Sequence, residues 1–207
     1  MTTSDGLTLY GQKASRALRC MWVMEELGLK YRSVPLKQNT DEVRTPEYLA
    51  LNSAAKIPTL VDGDFVVSET IAINAYLASK HPGALWPNNP QGVAKVIQWS
   101  SWAVTELEPP LVAAFREGRR AEQEIDKSRI EGWRAEALKA ASTVLEPHLA
   151  KNKYLLPSSD FTLADLNVAM VVNTMVAFKL SFAEIPHTDA WLKRCLSRPA
   201  LQKLLAA

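Results

Sequence analysis

Apolar and polar positions change period along the chain, and each change marks an element. "LTLY", Leu7 to Tyr10, is a short strand-like run that ends in the looser Gly11, Gln12 and Lys13. From Arg16 to Leu27 the spacing is helical: Ala17, Leu18, Met21, Trp22 and Met24 form a broad apolar face, and Gly28 supplies a C-terminal stop. "KYRSVPL" reads as a second strand. A strand–helix–strand unit closes by a right-handed crossover and pairs its strands in parallel. One helical turn is predicted near Thr45 to Leu51. In "IPTLVDGDFVVS", Ile57 to Ser68, two apolar runs flank Asp62-Gly63, the signal for a tight hairpin. "ETIAINAYLASKH" then returns to helical spacing.

"HPGALWPNNPQG", His81 to Gly92, is rich in Pro, Gly and Asn and reads as a linker. No strand pattern follows it. Helices are predicted from about Gln91 to Arg119, Glu122 to Leu149 and Leu163 to Phe178, with two short ones between Thr188 and the C-terminus. Glu108-Pro109-Pro110 should kink or break the first. No internal repeat is visible. In "DFTLADLNVA", Thr162 is an N-cap, Asp165 completes a capping box, and Phe161 with Leu166 forms a hydrophobic staple. The expected organisation is a mixed α/β domain over 1–80, a linker over 81–90 and an all-α domain over 91–207.

Composition narrows the function classes. The 207 residues suffice for one large domain or two small ones. A net charge of +2 is too near neutral for a nucleic-acid or acidic-surface binder, and Arg116, Arg119 and Arg120 stand among Glu117, Glu122 and Glu124 as on a solvated helix face. Cys20 and Cys195 fit no metal-ligand or C-x-x-C spacing, so a reduced, cytoplasmic setting is expected. "MTTSDG" does not resemble a secretory leader. The most apolar stretch, Val168 to Phe178, is too short to span a bilayer.

The order βαβ then ββα resembles the thioredoxin fold. Joined to a Pro-rich linker and a helical domain, it resembles the cytosolic glutathione transferases, in particular serine-type, theta/delta-like members as found in bacteria. "LNSAAKIPTLVDGD", "SETIAINAYLA" and "FTLADLNVA" resemble that family's proline-loop, helix-start and capped-helix motifs, in the family's order.

The resemblance implies a site for glutathione as co-substrate, with no metal or nucleotide. It implies a cis peptide at Ile57-Pro58, with the Ile57 backbone pairing the cysteinyl part of the ligand like an added strand. Lys56 would reach the glycine carboxylate. Thr70, in place of the family's Ser, would take the γ-glutamyl carboxylate at a helix N-terminus, and Glu69 its ammonium. Ordinary roles compete at each position: a solvated Lys56, a trans Pro58 opening a strand, and Ser68 or Thr70 as a plain N-cap.

Ser15 lies four residues before Arg19 and matches the active serine of "S-x-P-C-R", although "SRALR" lacks the proline. Tyr10, at the end of the first strand, corresponds to the tyrosine of tyrosine-type members and is the second candidate. A thiol with a pKa of about 8.5 is only a few per cent ionised at neutral pH. A hydroxyl donor and a helix N-terminus both favour the thiolate. A pocket for a hydrophobic electrophile is expected between the domains, with Trp102, Thr105, Glu106 and Phe115 as candidates; core packing explains each of them equally well. "YLALNS" and Gln38-Asn39 fall where the family touches glutathione or a second subunit, and the family is usually homodimeric. No nucleic-acid or membrane partner is implied. The resemblance thus points to conjugation of glutathione to hydrophobic electrophiles. The alternatives are a glutathione-dependent peroxidase or disulfide reductase, or a non-catalytic binding module.

Overall fold

The computed structural model describes residues 6–81, 83, 85–156 and 160–206. "MTTSD" and two residues of the expected linker, Pro82 and Ala84, lie outside them. The chain divides into two compact units, Met1–Trp86 with Arg198–Ala207, and Pro87–Ser197.

The first unit follows the expected order: β1 (Leu7–Tyr10), α1 (Ala17–Glu26), β2 (Arg32–Val34), α2 (Pro46–Leu51), β3 (Thr59–Asp62), β4 (Phe65–Ser68) and α3 (Thr70–Lys80). The strands form one sheet in the order β2-β1-β3-β4, with β1 parallel to β2 and both other pairs antiparallel. The hairpin turn is Gly63-Asp64, because Asp62 pairs with Phe65, and Gly63 takes the left-handed conformation that such turns demand. Leu9, Trp22, Met24, Leu60, Ile73 and Leu77 are fully buried. Thr45 caps α2, its hydroxyl accepting the Tyr48 N–H at 3.3 Å, with Pro46 opening the helix.

The second unit is helical: α4 (Pro90–Trp102), α5 (Glu108–Glu117), α6 (Lys127–Ala140), α7 (Glu146–Leu149), α8 (Leu163–Ala177) and α9 (Pro186–Leu196). Two expectations change here. Pro109-Pro110 does not break the helix. The turn before it widens to a π-helical one over Ala103–Leu107, closed by the Glu108 N–H on the Ala103 carbonyl, and α5 continues. The same device recurs at Ala141–Leu145, where the Glu146 N–H donates to Ala141 O just before Pro147. The two segments share a pattern, Ala-x-Thr-x-Leu-Glu-Pro-x-Leu, at 103–111 and 141–149. Each proline lacks the N–H that an ordinary turn needs, and the wider register relieves its clash with the preceding turn. The helix expected from Glu122 begins only at Lys127, because Asp126 caps it by accepting the Arg129 N–H at 3.0 Å.

The capping box of Thr162 and Asp165 is present. Asp165 is fully buried and accepts from Leu155 N–H, Thr162 N–H, Thr162 Oγ1 and Trp191 Nε1, all at 2.9–3.0 Å. Burial pushes its pKa up against those donors. Glu146 caps α9: Oε1 takes the His187 N–H and faces Nδ1, and Oε2 takes the Thr188 N–H and hydroxyl, at 2.7–3.0 Å.

The last ten residues depart from the expected 91–207 domain. They include α10 (Pro199–Ala206) and belong to the first unit. Arg198 grips Glu26 of α1 through two bonds of 2.7 Å, and Lys203 pairs with Glu25. Leu201 and Leu204 are buried. Among the described residues, no helix is long and apolar enough to cross a membrane.

Candidate active site

Strand register gathers the candidate residues. Thr59 pairs with Tyr10 on one side and Ser68 on the other, and Tyr10 pairs with Val34. The next residues along each strand therefore leave the sheet at one end. These are the Gly11–Ser15 loop, Ile57-Pro58, Glu69-Thr70 and the segment from Pro35 to Gln38. Gly11 knits the loop to its neighbour, since its Cα lies so near Ala17 and Ile57 that a Cβ there would come within 2.7 Å of Ala17 Cβ and 3.5 Å of Ile57 Cβ.

Ser15 is half-buried in a tight turn. Its hydroxyl donates to the Gln12 carbonyl at 2.7 Å and accepts the Ala17 N–H at 3.2 Å. It thus accepts the first N–H of α1 from one residue outside the N-cap, Arg16, while its single proton lies on Gln12. Rotation about Cβ–Oγ redirects that proton and leaves the Ala17 bond in place.

Ile57-Pro58 is cis, and both residues are buried. A buried network fixes this segment. Tyr48 Oη donates to Lys56 O at 2.5 Å and contacts Thr59 Oγ1 at 2.9 Å; Asn52 Nδ2 reaches the same two oxygens at 2.9 and 3.1 Å. The Lys56 side chain is exposed. The Ile57 N–H donates to Gln38 Oε1 at 2.9 Å.

Glu69, not Ser68 or Thr70, is the N-cap of α3. It is exposed and holds φ +72°, a left-handed conformation that non-glycine residues rarely adopt. Thr70 behind it is buried. The first N–H groups of α3 have no acceptor within the helix and so suit an anion.

Tyr10 packs elsewhere. Side chains alternate along β1, and the Tyr10 ring lies tilted on Tyr48 at 5.8 Å beside α2. It lines an open groove of about 320 Å³ with Leu36, Thr45 and Leu51. Burial pushes the Tyr48 hydroxyl pKa up, against its hydrogen bonds to Thr59 and Asn52. Cys20 and Cys195 are buried thiols, and burial pushes that of Cys20 far up, away from nucleophilic use.

The four electrophile-pocket candidates fall in two places. Trp102 ends α4, edge-on to Trp99 at 5.8 Å, and Thr105 and Glu106 are exposed on the π-helical turn that follows. Phe115 is 51% exposed on α5, meeting Phe178 edge-on at 6.5 Å under the Arg119 guanidinium.

Gly11 was not singled out by the sequence, and Tyr48 and Asn52 were flagged only through the resemblance of "YLALNS" to a segment that touches glutathione or a second subunit; the register that aims Asn52 at Lys56 is invisible in a linear pattern. Among the described residues, no group of three or more His, Cys, Asp or Glu could hold a metal ion.

The chain matches the glutathione S-transferase N-terminal domain over residues 5–79 and the C-terminal domain over 107–199. It is 36% identical to glutathione S-transferase 3 of Zea mays, covering 97% of this chain and 94% of that one. The glutathione transferase URE2P6 of Phanerochaete chrysosporium, solved with oxidized glutathione, superposes with a TM-score of 0.86 at 30% identity, covering 97% of this chain and 95% of that one. The theta class enzyme of Xanthomonas axonopodis pv. citri, solved with glutathione bound, gives 0.82 at 29% identity, covering 96% of each. The chain belongs to the glutathione S-transferase family.

Proposed function

We propose that this protein binds glutathione at the shared end of its sheet and conjugates it to hydrophobic electrophiles, with Ser15 stabilising the thiolate. The observation that carries this reading is the register through Thr59. It converges a hydroxyl at the head of α1, the Ile57 backbone and the open N-terminus of α3 on one end of the sheet.

Ser15 turns its proton from Gln12 to the sulfur, and the α1 N-terminus adds its dipole. Lowering a thiol pKa from about 8.5 to about 6.5 takes about 2.7 kcal/mol. One hydrogen bond to a charged group supplies about 1.5–3 kcal/mol. The thiol proton leaves to solvent, the sulfur attacks the electrophilic carbon, and the leaving group departs with its bonding pair. Lys56 balances the glycine carboxylate; Glu69 and Thr70 hold the γ-glutamyl ammonium and carboxylate. Trp102, Thr105, Glu106 and Phe115 contact the electrophile.

Ser15 is preferred to Tyr10 because the Tyr10 ring is engaged with Tyr48 on the α2 side. The theta-like assignment draws support from the theta class neighbour solved with glutathione. We place the protein in the cytosol as a homodimer. Exposed Phe65 and Val66 on edge strand β4 offer apolar surface to a second copy.

Calorimetric titration with glutathione and turnover of an aromatic halide test this reading. The wild type binds and conjugates, and Ser15→Ala keeps binding but loses about ten- to hundredfold in kcat/KM. Absence of glutathione binding in the wild type would overturn it.

A further inference from the structure

Gln38 bonds both sides of the segment before Pro58. Its Oε1 accepts the Ile57 N–H at 2.9 Å and its Nε2 donates to Ala55 O at 3.3 Å. An amide that accepts from one residue and donates to the carbonyl two residues earlier serves the backbone as a neighbouring strand does. Extended peptides recognise an open backbone edge through those same groups.

The loop is built to keep Gln38 there. Nε2 also donates to Asn39 Oδ1 at 3.3 Å, and Asn39 holds φ +63°. Lys37 N–H donates to Glu42 Oε2 at 2.7 Å, and Thr40 Oγ1 donates to Lys37 O at 2.9 Å. On the opposite side, Tyr48 and Asn52 fix Lys56 O. Neither the edge nor the amide needs to move to meet the other.

We propose that Gln38 is an intramolecular competitor at this site: its side-chain amide occupies the Ala55–Ile57 edge until a ligand bearing a peptide group displaces it. The inference rests on the reading of this end of the sheet as the glutathione site. The ligand class follows from the geometry. A thiol that carries a peptide C=O replaces Gln38 Oε1 on the Ile57 N–H, whereas a simple thiol has nothing to offer that edge.

The test compares the full-length wild type with Gln38→Ala. Glutathione affinity is measured by calorimetry, and hydrogen exchange of the Ile57 amide by nuclear magnetic resonance. Loss of one competing neutral hydrogen bond tightens glutathione by about two- to tenfold in the variant. In the free proteins the Ile57 amide exchanges slowly in the wild type and faster in the variant, and saturating glutathione makes it slow in both. The Gln38 side-chain amide resonances of the wild type shift on binding. Weaker or unchanged binding in the variant, or equal Ile57 exchange in the two free proteins, overturns the inference while leaving the glutathione site standing. Binding in neither protein, with Ile57 exchange still different, overturns the glutathione reading and the competition together.

Discussion

Gly11 and Ala17 approach so closely that a methyl group on Gly11 would sit 2.7 Å from the Ala17 Cβ. Gly11 also holds φ +138°, a conformation closed to other residues. This contact sets where the Ser15 turn leaves β1 and enters α1. Gly11→Ala is therefore expected to cost about 1–3 kcal/mol of stability. It should also lower conjugation more than its stability loss explains, because the Ser15 turn must shift. Urea unfolding beside kcat/KM, measured where both proteins are folded, checks this.

Asn52 bridges Lys56 O and Thr59 Oγ1 from a buried position. Asn52→Ala removes a donor from the buried side of the proline loop, for about 1–3 kcal/mol. KM for glutathione is expected to rise while kcat for the bound complex changes little, since Ser15 is untouched. A fall in kcat alone would contradict this role.

Asp165 serves three elements of the second unit at once: the Thr162 turn, Leu155 and Trp191. Asp165→Ala leaves those donors buried without an acceptor, at about 3–5 kcal/mol. The variant is expected to yield far less folded protein, and its urea midpoint should drop steeply.

Glu146 should give stability a pH dependence. Burial raises its pKa, but hydrogen bonds from Thr188 and His187 outweigh burial and hold it below the usual carboxylate value. A group lowered in the folded state contributes fully above its unfolded pKa, about 4.3, and the contribution is lost as pH falls through the folded value. Glu146→Gln is expected to be less stable than the wild type near neutrality, with the gap closing on acidification. Urea unfolding at several pH values between about 7 and about 3 measures it. A gap that widens in acid would contradict the assignment.

The features read correctly from the sequence were those with a local cause. The Thr162–Asp165 box, the hairpin at Gly63 and the end of α1 before Gly28 each depend on neighbours a few residues apart. Convergence of Ser15, Ile57 and Thr70 was legible only through resemblance, because strand register is set by pairing across the chain. Glu108-Pro109-Pro110 suggested a break, yet tertiary packing carried that helix through a π-helical turn, and nothing local announced the matching turn before Pro147; Leu107 and Leu145 are both fully buried. Nothing near Arg198 signals that α10 leaves the helical unit to meet Glu26, an attachment made 172 residues away in sequence. Gln38 was visible as a loop residue near the ligand region. Its occupation of the Ile57 N–H depends on a loop held by the Lys37–Glu42 and Thr40–Lys37 hydrogen bonds, which no linear pattern signals.

In the proposed reaction the Ser15 hydroxyl, whose proton rests on the Gln12 carbonyl, turns to stabilise the thiolate of bound glutathione. Thiolate ultraviolet absorbance of bound glutathione against pH, in the wild type and in Ser15→Ala, tests it most directly. A thiol pKa well below the free value of about 8.5 is expected in the wild type, returning toward it in the variant with binding retained. Identical titrations in the two proteins would confine Ser15 to its bond with the Ala17 N–H and contradict that role.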